Sequence, residues 1–364
     1  MKTKKSFLKI FPVVAGLLML SSTGYSQINF DLFKGGVDDG IKVLEGYITP
    51  YANAFGSSLN GGWYNTGKPH KLGGFDITLT VSTTLIPEDA KTFDLSELGL
   101  NNLTVSGNSM APTIAGANDP GPTLSYVQNF PGYGDIELAS FESPPGINFG
   151  IIPLPMIKAG IGLPLGTEII GRFIPTINVA DGSFGLWGVG LKHSIIQYLP
   201  GSDLFPVDIS LMGGYTKVSV GIPVTMEPEN YDYMSYDAGI TYEESDFENQ
   251  KVNMDVSAYT FNLLISKKLP IVTFYGGAGY SGTSTSIAVD GNFALPSFDP
   301  ALSTTGPVYT NGHVVTIPSI DIDSFSGVRL NAGMRLTLGV LTIHADYTKA
   351  NYSVITAGLG ISFR

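Results

Sequence analysis

From residue 75 to its end this chain keeps returning to one pattern, in which apolar and polar residues alternate one by one. In "FDITLTVST" (75–83), Phe75, Ile77, Leu79 and Val81 alternate with Asp76, Thr78, Thr80 and Ser82. "KAGIGL" (158–163), "GVRLNAGMRLT" (327–337) and "LTIHADY" (341–347) repeat it, with one face apolar and the other polar or glycine. Successive side chains of a strand point to opposite faces, so a period of two commits these segments to sheet. No apolar run of about 18 residues follows the first 26 residues, which excludes helices that span a membrane. Half-buried soluble sheet and membrane barrel both satisfy the alternation, and other features must separate them.

The N-terminus argues for export. Lys2, Lys4, Lys5 and Lys9 precede "IFPVVAGLLML" (10–20), and small residues in "TGYS" (23–26) precede Gln27. That apolar run is too short for a spanning helix, so residues 1–26 read as a signal peptide cleaved near Ser26–Gln27. The chain holds no cysteine, which excludes lipid attachment, disulfides and thiolate metal sites. Its formal net charge is −11, and loss of the four leader lysines takes it to −15. Nucleic-acid binding needs clustered Lys and Arg, so no nucleic-acid partner is expected.

Residues 27–66 read as an N-terminal helix with a link. Val37, Ile41, Leu44, Ile48 and Tyr51 recur on one helical face, Asp38 and Asp39 suit its start, and Pro50 lies near its end. "GSSLNGGWYNTGK" (56–68) reads as a flexible connection, with Gly56, Gly61 and Gly62 as swing points. Lying directly before the first strand, the helix is placed at the periplasmic mouth of a barrel as a plug.

Loop lengths favour the barrel over residues 67–364. Short turns are read near 143–146, 164–166, 199–205, 267–270 and 338–340, and long polar connections at 86–133, 222–252 and 289–325. Short turns on one side and long loops mainly on the other is the asymmetry of outer-membrane barrels. The expectation is an all-β fold, a transmembrane antiparallel β-barrel of about 12 strands (range about 10–14) with a short helical plug. Outer-membrane lipid is then its first partner.

The last strand adds a second argument. In "NYSVITAGLGISFR", Ile355, Ala357, Leu359, Ile361 and Phe363 alternate to the penultimate residue. This resembles the C-terminal signal read by the barrel assembly machinery, except that Arg364 displaces the aromatic by one place. "GIGLPLGTEIIGRFIPT", "GVGLKHSIIQYLPG", "LLISKKLPIVTFYGGAGY" and the C-terminal segment from Leu341 resemble an uncharacterised family of Bacteroidetes-type outer-membrane barrels, a domain of unknown function. A more distant likeness in plan, plug followed by glycine-rich barrel, is to long-chain fatty acid outer-membrane transporters. The family resemblance implies the barrel but brings no established substrate or reaction, and no cofactor is expected.

One motif points elsewhere. "SGNSMAPT" (106–113), with "YGDIELASF" (133–141) and "MIKAGIGLP" (156–164), resembles type I signal peptidases, which implies Ser109 as nucleophile and Lys158 as base. A neutral buried lysine serves such a serine only within hydrogen-bond reach. The barrel reading puts Ser109 in an outer connection and Lys158 in the lumen, so no catalytic residue is expected. His70, His193, His313 and His344 are scattered, and no metal site is expected. The segment 227–248 carries eight acids and no base; it reads as a solvated outer loop, or as a calcium- or ligand-binding lid.

Lys158, Glu168, Arg172, Lys192, Asp208, Arg329, Arg335, His344 and Asp346 fall on the polar strand faces. Facing lipid at mid-depth, a Lys or Arg costs about 2–4 kcal/mol, so this set is placed in the lumen. There it either lines a path for a small or hydrophobic solute or forms an ionic network that fills a closed barrel. A structural or surface-interaction barrel without transport is the alternative function.

Overall fold

The ten longest and most regular alternating segments become ten strands. They are β1 (Phe75–Leu85), β2 (Ile151–Leu163), β3 (Thr167–Val179), β4 (Gly182–Ser194) and β5 (Asp208–Pro223), then β6 (Lys251–Lys268), β7 (Val272–Asp290), β8 (Ser326–Leu338), β9 (Leu341–Lys349) and β10 (Ser353–Phe363). This computed structural model describes residues 32–33, 36–130, 134–179, 182–200, 206–223, 249–294, 297–298, 309–310, 314–322 and 326–363. The leader 1–26, the acidic stretch 227–248 and His313 lie outside those residues.

Each strand pairs antiparallel with its sequence neighbours, and β10 returns to β1 from Phe75↔Phe363 to Leu85↔Ser353. Closure gives every strand two neighbours and leaves no sheet edge, as a sheet in hydrocarbon requires. The faces sort cleanly. Ile77, Ile161, Phe173, Val189, Phe261, Leu330, Ile343 and Leu359 are exposed on the outside, while Asp76, Thr78, Thr80, Ser82 and Thr84 of β1 are buried inside. An apolar surface running round the whole ring is costly in water and favourable in hydrocarbon. Of the C-terminal set, Ile355, Ala357, Leu359, Ile361 and Phe363 all face outward, and Phe363 stacks on Phe75 at 4.9 Å.

The count of about 12 is corrected to ten strands, with one short outside strand, Ile320–Ile322, added to β7. The excess lies in residues 134–156, where Gly134–Glu142 is strand outside the ring and 151–156 already belongs to β2. Thr123–Phe130 and Gly134–Glu142 alternate like barrel strands but pair with Leu103–Ser106 in a separate three-stranded sheet. Because β1 pairs with β2 directly, everything from 86 to 150 is one excursion from a single barrel end. The turn read at 143–146 therefore belongs to the long-connection end and not to the short-turn end. Alternation shows that a segment is strand; it does not say which sheet receives it.

The helix α1 (Val37–Leu59) is also placed differently from expectation. Its first half packs under the excursion, where Leu32, Phe33 and Val43 share a core with Leu95, Leu103, Leu124 and Phe141. The buried Asp39 carboxylate accepts backbone N–H groups from Asn101, Asn102 and Leu103 at 2.7–3.0 Å. Ile41, Leu44 and Ile48 pack toward Ile287, Ile320 and Ile322, Val37 joins the excursion core, and Tyr51 packs near Ile86 and Ile152. The helix then continues past Pro50 into the barrel. A proline inside a helix costs about 3 kcal/mol, which burial of Ala52, Ala54 and Leu59 offsets. The plug thus starts at the long-connection end, not at the short-turn mouth. Adjacency in sequence to β1 gave the wrong end because residues 60–74 run the length of the lumen before β1 begins.

Candidate functional site

The lumen is filled by the end of α1 and the segment that follows it. Ser58 Oγ lies 2.7 Å from Thr84 Oγ1, at the long-connection end of β1. Twelve residues on, His70 Nε2 lies 3.1 Å from Asp76 Oδ1, at the opposite end of the same strand. The polar inner face of β1 is therefore lined along its length by this one segment.

Two arginines hold it in the middle. Arg172 on β3 donates to the Leu59 carbonyl at 2.7 Å and to the Gly61 carbonyl, and Arg329 on β8 donates to the Asn60 carbonyl at 2.7 Å. The last turn of α1 contains no basic residue of its own. A helix C-terminus carries a partial negative charge and unpaired carbonyls, and the barrel wall supplies guanidinium groups from β3 and β8 to meet them. Arg172 also stacks over Trp63, 3.7 Å from the ring centroid, a cation–π contact made strong by burial. Arg335 donates to Asn65 Oδ1 at 2.9 Å.

Glycines of this region are set by space, not by flexibility. A Cβ on Gly56 would lie 2.5 Å from Thr283, and one on Gly61 would lie 2.6 Å from Ser82 Oγ. On the wall, Gly190 and Gly214 leave room for the Trp63 ring, 2.8 and 2.7 Å from where their Cβ atoms would stand. Only Gly62, at φ 68°, uses backbone freedom that other residues lack. The swing points read from sequence are close-contact points.

Below the arginines lies an ionic cluster. Lys192 pairs with Glu168 at 3.0 Å, and Lys158 lies 3.8 Å from Asp76 and donates to the Trp63 carbonyl at 3.2 Å. The His70 backbone N–H donates to Glu168. His70, Asp76 and Glu168 each offer a ligand atom, all within 4.8 Å of one another. Two ammonium groups already balance these two carboxylates, so the cluster neutralises itself without a cation. Higher and opposite, Asp346 accepts from Tyr275 and Asn331 at 2.8 Å each. His344 is buried with neither ring nitrogen hydrogen-bonded among the described residues. Asp208 sits at the short-turn rim, 3.5 Å from Lys68.

Of the nine residues placed in the lumen from sequence, eight are buried inside the ring and Asp208 stands at its rim. Sequence reasoning passed over Asp76 and His70, although Asp76 shares the polar face of β1. It had no means of finding the carbonyls of Leu59, Asn60 and Gly61, because backbone acceptors leave no trace in side-chain identity. Ser109 and Lys158 are not brought together. Ser109 faces Asp94 in the excursion, and hydrogen bonds from Ser96 and Ser109 hold the Asp94 carboxyl below its usual range. Lys158 lies seven residues inside β2, roughly 23 Å along the strand from its outer end, and is committed to Trp63 and Asp76.

Solved outer-membrane barrels resemble the chain loosely. The attachment invasion locus protein Ail of Yersinia pestis matches with 8% identity and a TM-score of 0.24, covering 80% of this chain and 98% of that one. The translocator domain of the autotransporter NalP from Neisseria meningitidis matches with 11% identity and a TM-score of 0.29, covering 85% and 92%. The toluene transporter TbuX of Ralstonia pickettii matches with 7% identity and a TM-score of 0.23, covering 85% and 93%. Likenesses this loose add nothing to what the closed ladder itself shows. No curated protein matches the chain in sequence. One family description, that of the family of unknown function DUF6588, matches residues 1–363, and the chain belongs to that family.

Proposed function

We propose that this protein is an outer-membrane barrel that transports a small or hydrophobic solute, held closed in this conformation by its own N-terminal segment. On this reading the leader is removed on export, the alternation ending at Phe363 is read by the barrel assembly machinery, and no residue acts as a catalyst. The observation that carries it is the way the lumen is closed. The segment 58–70 is held by side chains of the wall donating to its backbone carbonyls, contacts that release without breaking any strand pairing. A barrel needing only rigidity is stiffened as well by wall-to-wall ionic pairs, which leave no separate element to move. The alternative, a surface-interaction barrel, draws support from the excursion at 86–150, which builds a core with the start of α1 and stands beyond the membrane end.

The test is conductance in planar bilayers of the wild-type protein and an Arg172→Gln/Arg329→Gln variant. Hydrogen bonds to a charged group contribute about 1.5–3 kcal/mol each, so their loss raises the open fraction at least about tenfold. Heat-dependent gel mobility verifies that the variant barrel is closed. A folded variant as silent as the wild type would leave the non-transporting barrel as the better reading.

A further inference from the structure

We propose that the barrel wall parts between β2 and β3, where it is unpaired though covered by side chains in this conformation, giving an uncharged apolar molecule dissolved in the bilayer a lateral route into the lumen. The proposal rests on the transport reading above and supplies its route and solute class. It begins with an interruption in the ladder. β2 and β3 pair over six residues only, from Leu163↔Thr167 to Lys158↔Arg172. The other nine ladders run from eight to eighteen pairs. Beyond Lys158 and Arg172, residues 151–157 keep their pairing to β1 on one side, and residues 173–174 and 177–179 keep theirs to β4. Toward each other they make no ladder.

The position of the break decides its meaning. Six residues extend roughly 20 Å along a strand, or about 15 Å in height at the usual tilt of about 40°. The apolar band of such barrels is about 25 Å tall. The unpaired seam therefore begins within the acyl-chain layer and not above it.

The sequence at the seam fits an edge that makes no ladder within the bilayer. Unpaired N–H groups in hydrocarbon are costly, and this edge is poor in them because Pro153 and Pro155 lie on β2 and Pro175 on β3. In an antiparallel ladder alternate residues direct their backbone groups to opposite neighbours. Since β2 pairs without interruption to β1, its two prolines occupy positions whose N–H would have pointed at β3. Pro175 stands at the irregularity between Ile174 and Ile177, which turns the β3 edge further away.

Behind the seam the inner face changes character. Leu154 and Met156 of β2, Ile174 and Ile177 of β3, and Phe184 and Leu186 of β4 make the wall apolar at this level. Phe55 and Leu59 of α1 fill the space against them. Below, Lys158 and Arg172 form a cationic floor at the last rung of the ladder. A molecule entering here meets hydrocarbon side chains and replaces those of α1, which selects for an apolar, uncharged solute. Movement of α1 and occupancy of this compartment are then the same event.

The chain contains two tryptophans, and one reports from each side of the wall. Trp187 faces lipid, whereas Trp63 is buried in the lumen against Arg172. In a Trp187→Phe protein reconstituted in phosphatidylcholine vesicles, 1-bromododecane is added as a quencher confined to the bilayer. Quenching of Trp63 is expected. In the same background, Ile157→Cys with Phe173→Cys places the protein's only cysteines opposite each other at the first unpaired rung. Oxidation should reduce the quenching several-fold, and reduction should restore it. A triple variant, Pro153→Thr, Pro155→Thr and Pro175→Thr, restores three donors and must also lower it. Trp63 left unquenched while Trp187 of the unsubstituted protein is quenched would overturn the route. Quenching indifferent to both closures would do the same. Neither result depends on ion conductance, so failure of the lateral route and failure of the transport reading are told apart.

Discussion

The tightest contact between plug and wall is also the easiest to perturb. Gly214 faces the lumen on β5, and a Cβ there would stand 2.7–2.9 Å from three atoms of the Trp63 indole. An aromatic ring has no flexible end to yield, so in Gly214→Ala it must retreat by about 0.7 Å to reach the 3.4 Å of ordinary contact. Overpacking of this kind costs about 1–3 kcal/mol. If the cost falls on the seated state of the plug, the equilibrium between seated and released segment shifts about 5- to 150-fold. Native-state hydrogen exchange reads such local opening directly. Amides of residues 58–70 should exchange faster by that factor, while those of β1 and β10 remain as in the wild type. Gly171→Ala is the control, because Gly171 lies on the outside of β3 with nothing within 4 Å of its Cβ position. If exchange over 58–70 is unchanged in a folded Gly214→Ala barrel, Trp63 is not an anchor, and the account of the closed lumen fails.

Two other outcomes follow from the geometry. Asp39→Asn removes the carboxylate that three excursion N–H groups share, so residues 95–105 should be cleaved several-fold faster in limited proteolysis, with the barrel intact. Phe363→Ser removes the stack on Phe75 at the closing seam and should lower the fraction of heat-modifiable barrel recovered from membranes; equal recovery would exclude a role for this aromatic in closure.

Much of the wall was legible and most of the plug was not. The faces of β1, β8, β9 and β10 follow from counting by twos, because in a strand the side-chain direction is a local property. Arg172 and Arg329 could be assigned to the inner face on the same ground, since a guanidinium in lipid is expensive. Their partners could not, because both bind carbonyls of residues more than 100 positions away in the chain. The apolar stripe of α1 announced a helix but stopped at Tyr51, whereas the helix continues to Leu59. Its last turns are enclosed by barrel on every side and so show no stripe.

What the sequence determined by itself is the alternation, and with it an antiparallel sheet having one face for lipid and one for a polar interior. Strand number, the end from which the plug enters and the break between β2 and β3 belong to the tertiary structure alone. Each depends on which strand pairs with which, and pairing is settled by closure of the ring. Residues 123–130 and 134–142 are strands as well, with a shift of register at Tyr126/Val127, yet they are left outside because β1 and β2 already satisfy each other. The prolines of β2 and β3 were visible from the start. Only the completed ring shows that they lie on facing edges, where their missing donors leave the wall unpaired.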